Sequence, residues 1–326
     1  MKKQFVGIDI GGTKISVCIG DVAGKIKASQ RISTKDVPKW EKGVQKITQM
    51  VESLRRELYL QEEEIAAVGI SAPGPLSVEQ GRLLDLPNLP GWRSAPIVQE
   101  LKKQLPYPMI LNNDANAQAL AEYAFGSFQK VNTLVYLTCS TGMGGGIIHK
   151  GRIVQGKSDT AGEIGHFVLD IDGPLCPCSQ RGCFEMYCGG ANFRKHVQAL
   201  LKDSACHSAA LDAVGGDLAK LDLIHLEKAL YQGDPFAEKM WDGFTTRLAQ
   251  GIGVILMTLN PEVVILGTIA SHMQEWMLPR LREKLPRFSW KIARDCCTIT
   301  TTSLGEKISE LSGLALASQA QLELGR

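Results

Sequence analysis

His166, Cys176, Cys178 and Cys183 place one imidazole and three thiols within 18 residues, in a stretch rich in Gly, Pro and Ser. Three thiolates and an imidazole fill a tetrahedral zinc shell, and the Cys-x-Cys-x₄-Cys spacing suits a tight loop wrapped around the ion. Buried thiols or a redox pair would use the same residues, but the full ligand count favours zinc. A closed shell leaves no open position, so the zinc is expected to be structural. One ring nitrogen of His166 would bind the metal, and the other would serve a substrate hydroxyl or a carboxylate. Glu163 lies three residues before His166, and Glu185 two after Cys183. Held beside the loop, the two acids would make a bidentate acceptor pair for vicinal sugar hydroxyls. Taken singly, each would as readily face solvent.

A second constellation is Asp9-Ile10-Gly11-Gly12-Thr13-Lys14, between the apolar runs 5–8 and 15–19. Neither glycine carries a Cβ, so backbone N–H groups can approach an anion closely. Thr13 and Lys14 add a hydroxyl and a cation, and Asp9 would hold a metal ion through water. An ordinary hairpin turn would use the same glycines. The design recurs in Ser140-Thr141-Gly142-Met143-Gly144-Gly145-Gly146, as expected of two related lobes facing one nucleotide. A third cluster, Asn112-Asn113-Asp114, follows an apolar strand directly, the position of a site at a sheet's carboxyl edge. Asp114 as a helix N-cap is the structural alternative.

Hydrophobic periodicity supplies elements to carry these residues. Runs 5–8, 15–19 and 26–32 read as an antiparallel meander, and a helix follows over 40–58, with Val44, Ile47, Val51, Leu54 and Leu58 on one stripe. Further strands are expected over 66–71, 109–111, 133–138, 144–149 and 263–266. Helices are expected from Asp114, over 234–259 until Asn260-Pro261 stops it, and over 307–324.

At 326 residues the chain is long enough for two lobes, and its 44% hydrophobic and 21% charged content is that of a soluble globular protein. A net charge of +2 gives no basis for a nucleic-acid surface, and no run is apolar enough to span a bilayer. Asp9 interrupts the first apolar run, so no signal peptide is read. Nine cysteines without a leader imply thiols and metal ligands, not disulfides, and a cytoplasmic setting. Cys188 is off the zinc spacing, while Cys18, Cys139, Cys206, Cys296 and Cys297 read as packing residues.

In this order the motifs resemble the ROK family (repressors, open reading frames and kinases) over nearly the whole chain. Residues 9–14 resemble its first phosphate turn, and residues 140–146 its second. Residues 69–75 and 88–92 are similar to its sugar-side loops, Asn113-Asp114-Ala115-Asn116-Ala117 to its catalytic segment, and Glu163 to His166 with the three cysteines to its signature and zinc loop. Residues 260–267 are similar to the segment near adenosine, although Thr268 stands where a second glycine is usual, and Pro177 and Ser179 replace glycines of the zinc loop. The resemblance implies an α/β, actin-like ATPase (ribonuclease H-like) fold of two lobes with a central cleft. The small lobe would span 1–114, with a helix at 305–326 packing back on it, and the large lobe 115–304 would carry the zinc loop.

It also implies ATP- and Mg²⁺-dependent phosphorylation of a hexose, commonly at the 6-hydroxyl, and a homodimer. Asp114 would be the general base. Asn88, Asn113, Glu163, His166 and Glu185 would hold the sugar. Asp9, Gly11, Gly12, Thr13, Lys14, Thr141, Gly142, Gly144, Gly145 and Gly267 would hold the nucleotide and its metal. Glucose is the first choice of substrate, ahead of N-acetylmannosamine or N-acetylglucosamine, then allose or fructose. A sugar-responsive repressor would need a helix-turn-helix before the first strand, which begins by residue 4. A non-catalytic sensor or actin-like assembly subunit would not need the sugar-side acids.

Overall fold

The computed structural model describes residues 3–86, 89–203 and 206–324. β1 (Gln4–Ile10), β2 (Lys14–Asp21) and β3 (Ile26–Ser33) form an antiparallel meander, and β4 (Ile65–Ala72) adds parallel to β1. A short hairpin, β5 (Leu76–Ser77) with β6 (Arg82–Leu83), precedes β7 (Met109–Asn113). β7 pairs parallel with β4 and completes the order β3-β2-β1-β4-β7. Central β1 is buried along its whole length, whereas edge strand β3 alternates between shielded and exposed residues.

Strand alternation decides what each face of this sheet meets. Val6, Ile8 and Ile10 share one apolar core with Val44, Ile47, Val51 and Leu54 of helix Trp40–Glu57. The opposite face carries Gly7 and Gly69, partners in register, against helix Ile308–Leu324. A Cβ on Gly69 would lie 2.1 Å from the Gly313 carbonyl oxygen, and one on Gly313 would lie 2.6 Å from the Gly7 Cα. The three glycines therefore let helix and sheet backbones touch. Helix Asp114–Phe125 packs on the same C-terminal helix. Its fully buried Glu122 accepts from the Ser303 N–H (3.1 Å), the Ser303 hydroxyl (2.8 Å) and the Thr302 hydroxyl, fastening the segment that leads into the final helix.

A second sheet has the order β10-β9-β8-β11-β12, from β8 (Thr133–Cys139), β9 (Met143–His149), β10 (Arg152–Ile153), β11 (Val263–Leu266) and β12 (Thr298–Thr301). Helix Pro235–Leu259 feeds β11. Asp234 caps it by accepting from the Ala237 N–H at 2.7 Å, and Asn260 ends it at φ 43°, ψ 56°, a left-handed conformation that asparagine tolerates. Trp241 and Phe244 of this helix close on Phe193 at ring-centroid distances of 5.0 and 4.9 Å.

The chain divides into two compact units. The first comprises residues 1–136, 146–162 and 302–326, and the second residues 137–145 and 163–301. This departs from the expected boundaries at 114 and 304. Helix Asp114–Phe125 packs with the final helix and so joins the first unit, and the division passes through β8 and β9. Among the described residues, no helix is long and apolar enough to cross a membrane.

Candidate active site

Asp9, Ser71 and Asn112 lie side by side on β1, β4 and β7, since register pairs Asp9 with Ser71 and Ser71 with Asn112. These strands are parallel, so the row marks their common carboxyl end, where open α/β sheets bind ligands. The Ser71 hydroxyl donates to Asp9 Oδ1 at 3.0 Å. Burial pushes the Asp9 carboxyl up to about 7, opposed by the Ser71 bond and reinforced by the nearby Asp114 charge. A cation beside such an acid would draw it into its charged form.

β7 passes into helix Asp114–Phe125 with no loop residue between them. Asn113, not Asp114, caps the helix: its Oδ1 accepts from the N–H groups of Ala115 (2.9 Å) and Asn116 (3.4 Å). That removes the structural explanation of Asp114 as the cap. Asp114 is the first helical residue, partly exposed, with Oδ1 accepting from the Ala115 N–H at 2.8 Å. The capping bonds also engage the Asn113 carbonyl oxygen, which narrows its expected role toward a sugar to the amide nitrogen.

The first glycine turn spans Gly11, Gly12 and Thr13. The Gly11 N–H donates to the Lys14 carbonyl at 2.9 Å, and the Thr34 hydroxyl donates to the Gly11 carbonyl at 2.9 Å. The Gly11 N–H is thus taken up within the turn, and the expected phosphate contacts fall to Gly12, Thr13 and Lys14. Gly12 and Thr13 are exposed.

The second turn is shorter than expected. Only Ser140, Thr141 and Gly142 separate β8 from β9, and Gly144, Gly145 and Gly146 belong to β9. Glu185 Oε2 accepts from the Met143 N–H at 2.9 Å, and a Cβ on Gly142 would stand 2.5 Å from that oxygen. Gly142 therefore admits a protein carboxylate. The Ser140 and Thr141 carbonyls accept from the N–H groups of Gly190 (2.8 Å) and Ala191 (2.9 Å), which open helix Gly190–Leu200. Just past the end of β11, the Gly267 N–H donates to the Leu137 carbonyl at 2.8 Å. Thr268 follows at φ 47°, a left-handed value unusual for a β-branched residue.

In the second unit, the ligand atoms of His166, Cys176, Cys178 and Cys183 all lie within 4.8 Å of one another. His166 Nδ1 stands 3.6 Å from Cys176 Sγ, so Nδ1 is the ring nitrogen turned toward the thiols. Cys178 Sγ and Cys183 Sγ are 3.5 Å apart. Burial and the neighbouring thiols push Cys183 up to about 12. Against the effect of its own burial, the Gln180 N–H, the other two thiols and His166 bring Cys178 down to about 7. A cation bound among these sulfurs would favour the thiolate form of each. Isolated bridges pair Val168 with Cys183 and Leu175 with Arg181. Gly182, at φ 67°, sits so close that a Cβ would fall 1.6 Å from the Asp170 carbonyl oxygen.

Glu163 precedes the short helix Ile164–His166. Desolvation of its carboxyl, with His166 opposing and Glu185 adding, raises it above the ordinary glutamate range. Glu163, His166 and Glu185 thus form one electrostatic group. Asn88 lies outside the described residues. Cys296 is exposed, and Cys206 and Cys297 only partly shielded, so packing does not account for these three thiols. Sequence reasoning placed Ser71, Asn112 and Asn116 within its motifs but gave none of them an individual role. It missed Asp170, which accepts from Arg247 Nη2 at 3.0 Å and from the Tyr187 hydroxyl at 3.3 Å and so braces the cysteine loop. Strand register aligns Ser71 and Asn112 with Asp9, and a side-chain hydrogen bond joins Asn116 to Asn112; nothing local in the sequence pairs Asp170 with Arg247 or Tyr187.

Comparison with known proteins bears on both halves of this description. A glucokinase from Thermotoga maritima is 33% identical over 284 residues, 87% of each chain. A ROK hexokinase from Thermus thermophilus superposes with a TM-score of 0.81 at 29% identity, covering 99% of each chain. A ROK family glucokinase from Streptomyces griseus, solved with glucose and AMPPNP, gives a TM-score of 0.78 at 27% identity over 97% of this chain and 99% of that one. These likenesses show the two-lobed actin-like ATPase fold. The ROK family model matches residues 5–320, and the chain belongs to the ROK family.

Proposed function

We propose that this protein phosphorylates a hexose from ATP, with glucose as substrate and its 6-hydroxyl as acceptor. Asp114 carries the reading. It follows the carboxyl end of β7, one of three parallel strands, and Asn113 relieves it of capping duty. The glucokinase relatives support glucose. Asp114 takes the proton of the attacking hydroxyl. Glu163, His166, Glu185 and the Asn113 amide, with Asn88, fix the ring hydroxyls. Gly12, Thr13, Lys14 and Thr141 approach the phosphates, with Gly142, Gly144 and Gly145 shaping the backbone there and Gly267 lying on the adenosine side. Phosphoryl transfer asks the protein chiefly for positioning and charge stabilisation.

Asp9 would hold the water shell of a Mg²⁺ ion bound with ATP, which would supply neutralisation of phosphate charge. Zinc fits the donor set of His166, Cys176, Cys178 and Cys183, a closed structural shell that shapes the loop around Glu163 and Glu185. The protein works as a cytoplasmic homodimer without nucleic acid. The test is ADP release with Mg·ATP across glucose, N-acetylmannosamine, N-acetylglucosamine, mannose, fructose, allose and no sugar. Release that depends on glucose is expected. Release with another sugar alone would reassign the substrate, and none with any sugar would overturn the kinase reading in favour of a sensor.

A further inference from the structure

We infer that Asn112 and Asn116 are a positioning pair for Asp114, fixing where its helix begins and hence where its carboxyl stands. The inference rests on Asp114 being the base. Asn112 is the penultimate residue of β7, and Asn116 is the third of helix Asp114–Phe125. They are 2% and 3% exposed. Asn112 Oδ1 accepts from Asn116 Nδ2 at 3.1 Å and from the Asn113 N–H at 2.8 Å. One oxygen thus ties the end of the strand to the first turn of the helix, and Asp114 lies between the two points it holds.

The pair is more than a helix cap, because Asn113 already caps the helix. Among the described residues, Asn116 Oδ1 is buried without a hydrogen-bond partner. Leucine, of nearly the same shape, would avoid that penalty. Retaining the amide makes sense for its donor, which reaches across to Asn112.

The experiment compares Asn116→Leu with the full-length wild type, measuring kcat, KM for glucose and for ATP, and Tm. Displacing a base by a fraction of an ångström is expected to lower kcat by about 10- to 100-fold. Both KM values should stay within about threefold, with Tm unchanged or higher. A kcat within about threefold of wild type overturns the inference, and so does a joint loss of kcat, both KM values and Tm, which marks a merely structural role. Should Asn116→Leu not fold, Asn116→Ser is held to the same criteria. Asp114→Asn runs alongside: if it keeps turnover, the base assignment itself has failed, whatever Asn116→Leu does.

Discussion

The carboxyl edge of the first sheet and the cysteine loop of the second unit hold their polar residues by opposite means. At the sheet edge, Asp9, Ser71 and Asn112 are set by strand register, and Asp114 by a helix that starts without a linker. Their backbone is regular and rests on a core in which Val6, Ile8 and Ile10 are buried. The cysteine loop has two isolated bridges, a left-handed Ser179 at φ 76° and a glycine pressed on the Asp170 carbonyl. His166 ends the short helix Ile164–His166 and Cys183 stands at the N-cap of helix Phe184–Cys188, while Cys176 and Cys178 lie on irregular backbone between them. On the proposed function, the base would sit on regular backbone, and the residues proposed to bind the sugar would sit beside a loop whose order a metal would supply.

The sharpest way to break this contrast is Asp114→Asn. Turnover should fall by at least about two orders of magnitude, as for loss of a general base, while Tm stays near wild type. Single-turnover kinetics check it, and near-normal rates would remove Asp114 from the chemistry. Next in size is Gly69→Ala, which forces a Cβ to within 2.1 Å of the Gly313 carbonyl oxygen. Overpacking of this kind costs about 1–3 kcal/mol or more, so denaturant unfolding should show a clear drop in stability. An unchanged midpoint would mean that the sheet does not need this close approach.

Cys178→Ser probes the other region. Metal analysis should show loss of zinc, with faster hydrogen exchange confined to residues 166–183 and glucose affinity lowered by about tenfold. Exchange that speeds up equally in β1 and β4 would contradict the separation of the two regions.

The smallest effect concerns pH. The Asp9 carboxyl is raised from 3.8 to about 7, so the folded state binds its proton more tightly than the unfolded chain does. Its stability contribution is complete below 3.8 and is lost as pH rises toward 7. In metal-free protein, Asp9→Asn should therefore gain Tm relative to wild type between about pH 4 and 7 and plateau above, by a few degrees. A flat difference across that range would place Asp9 in an ordinary carboxylate environment.

The regular region was the more legible. Alternating and helical hydrophobic periods located β1, β2, β4 and helices Trp40–Glu57, Pro235–Leu259 and Ile308–Leu324 to within a residue or two. Ligand spacing alone brought out His166, Cys176, Cys178 and Cys183, whose donor atoms the structure gathers within 4.8 Å of one another. Only the extent of the second glycine turn was ambiguous: Gly144 to Gly146 were read both as its end and as the start of the strand expected over 144–149, and they belong to β9, Met143–His149. The division of the chain was not legible, because it depends on helix Asp114–Phe125 meeting a helix nearly two hundred residues later. Glycine roles were half legible: Gly142 was read as part of a phosphate turn, and the structure adds that the Glu185 carboxylate stands 2.5 Å from where its Cβ would be. A missing Cβ announces a close approach without naming the group that approaches.

Glucose calorimetry on zinc-loaded Asp114→Asn and Glu163→Gln, side by side with wild type, tests the division of labour most directly. Asp114→Asn should bind glucose as wild type does, and Glu163→Gln should bind it at least about tenfold more weakly, the loss expected for a charge-assisted hydrogen bond. Binding lost in Asp114→Asn and kept in Glu163→Gln would contradict the assignment of chemistry to the sheet edge and of grip to the metal loop.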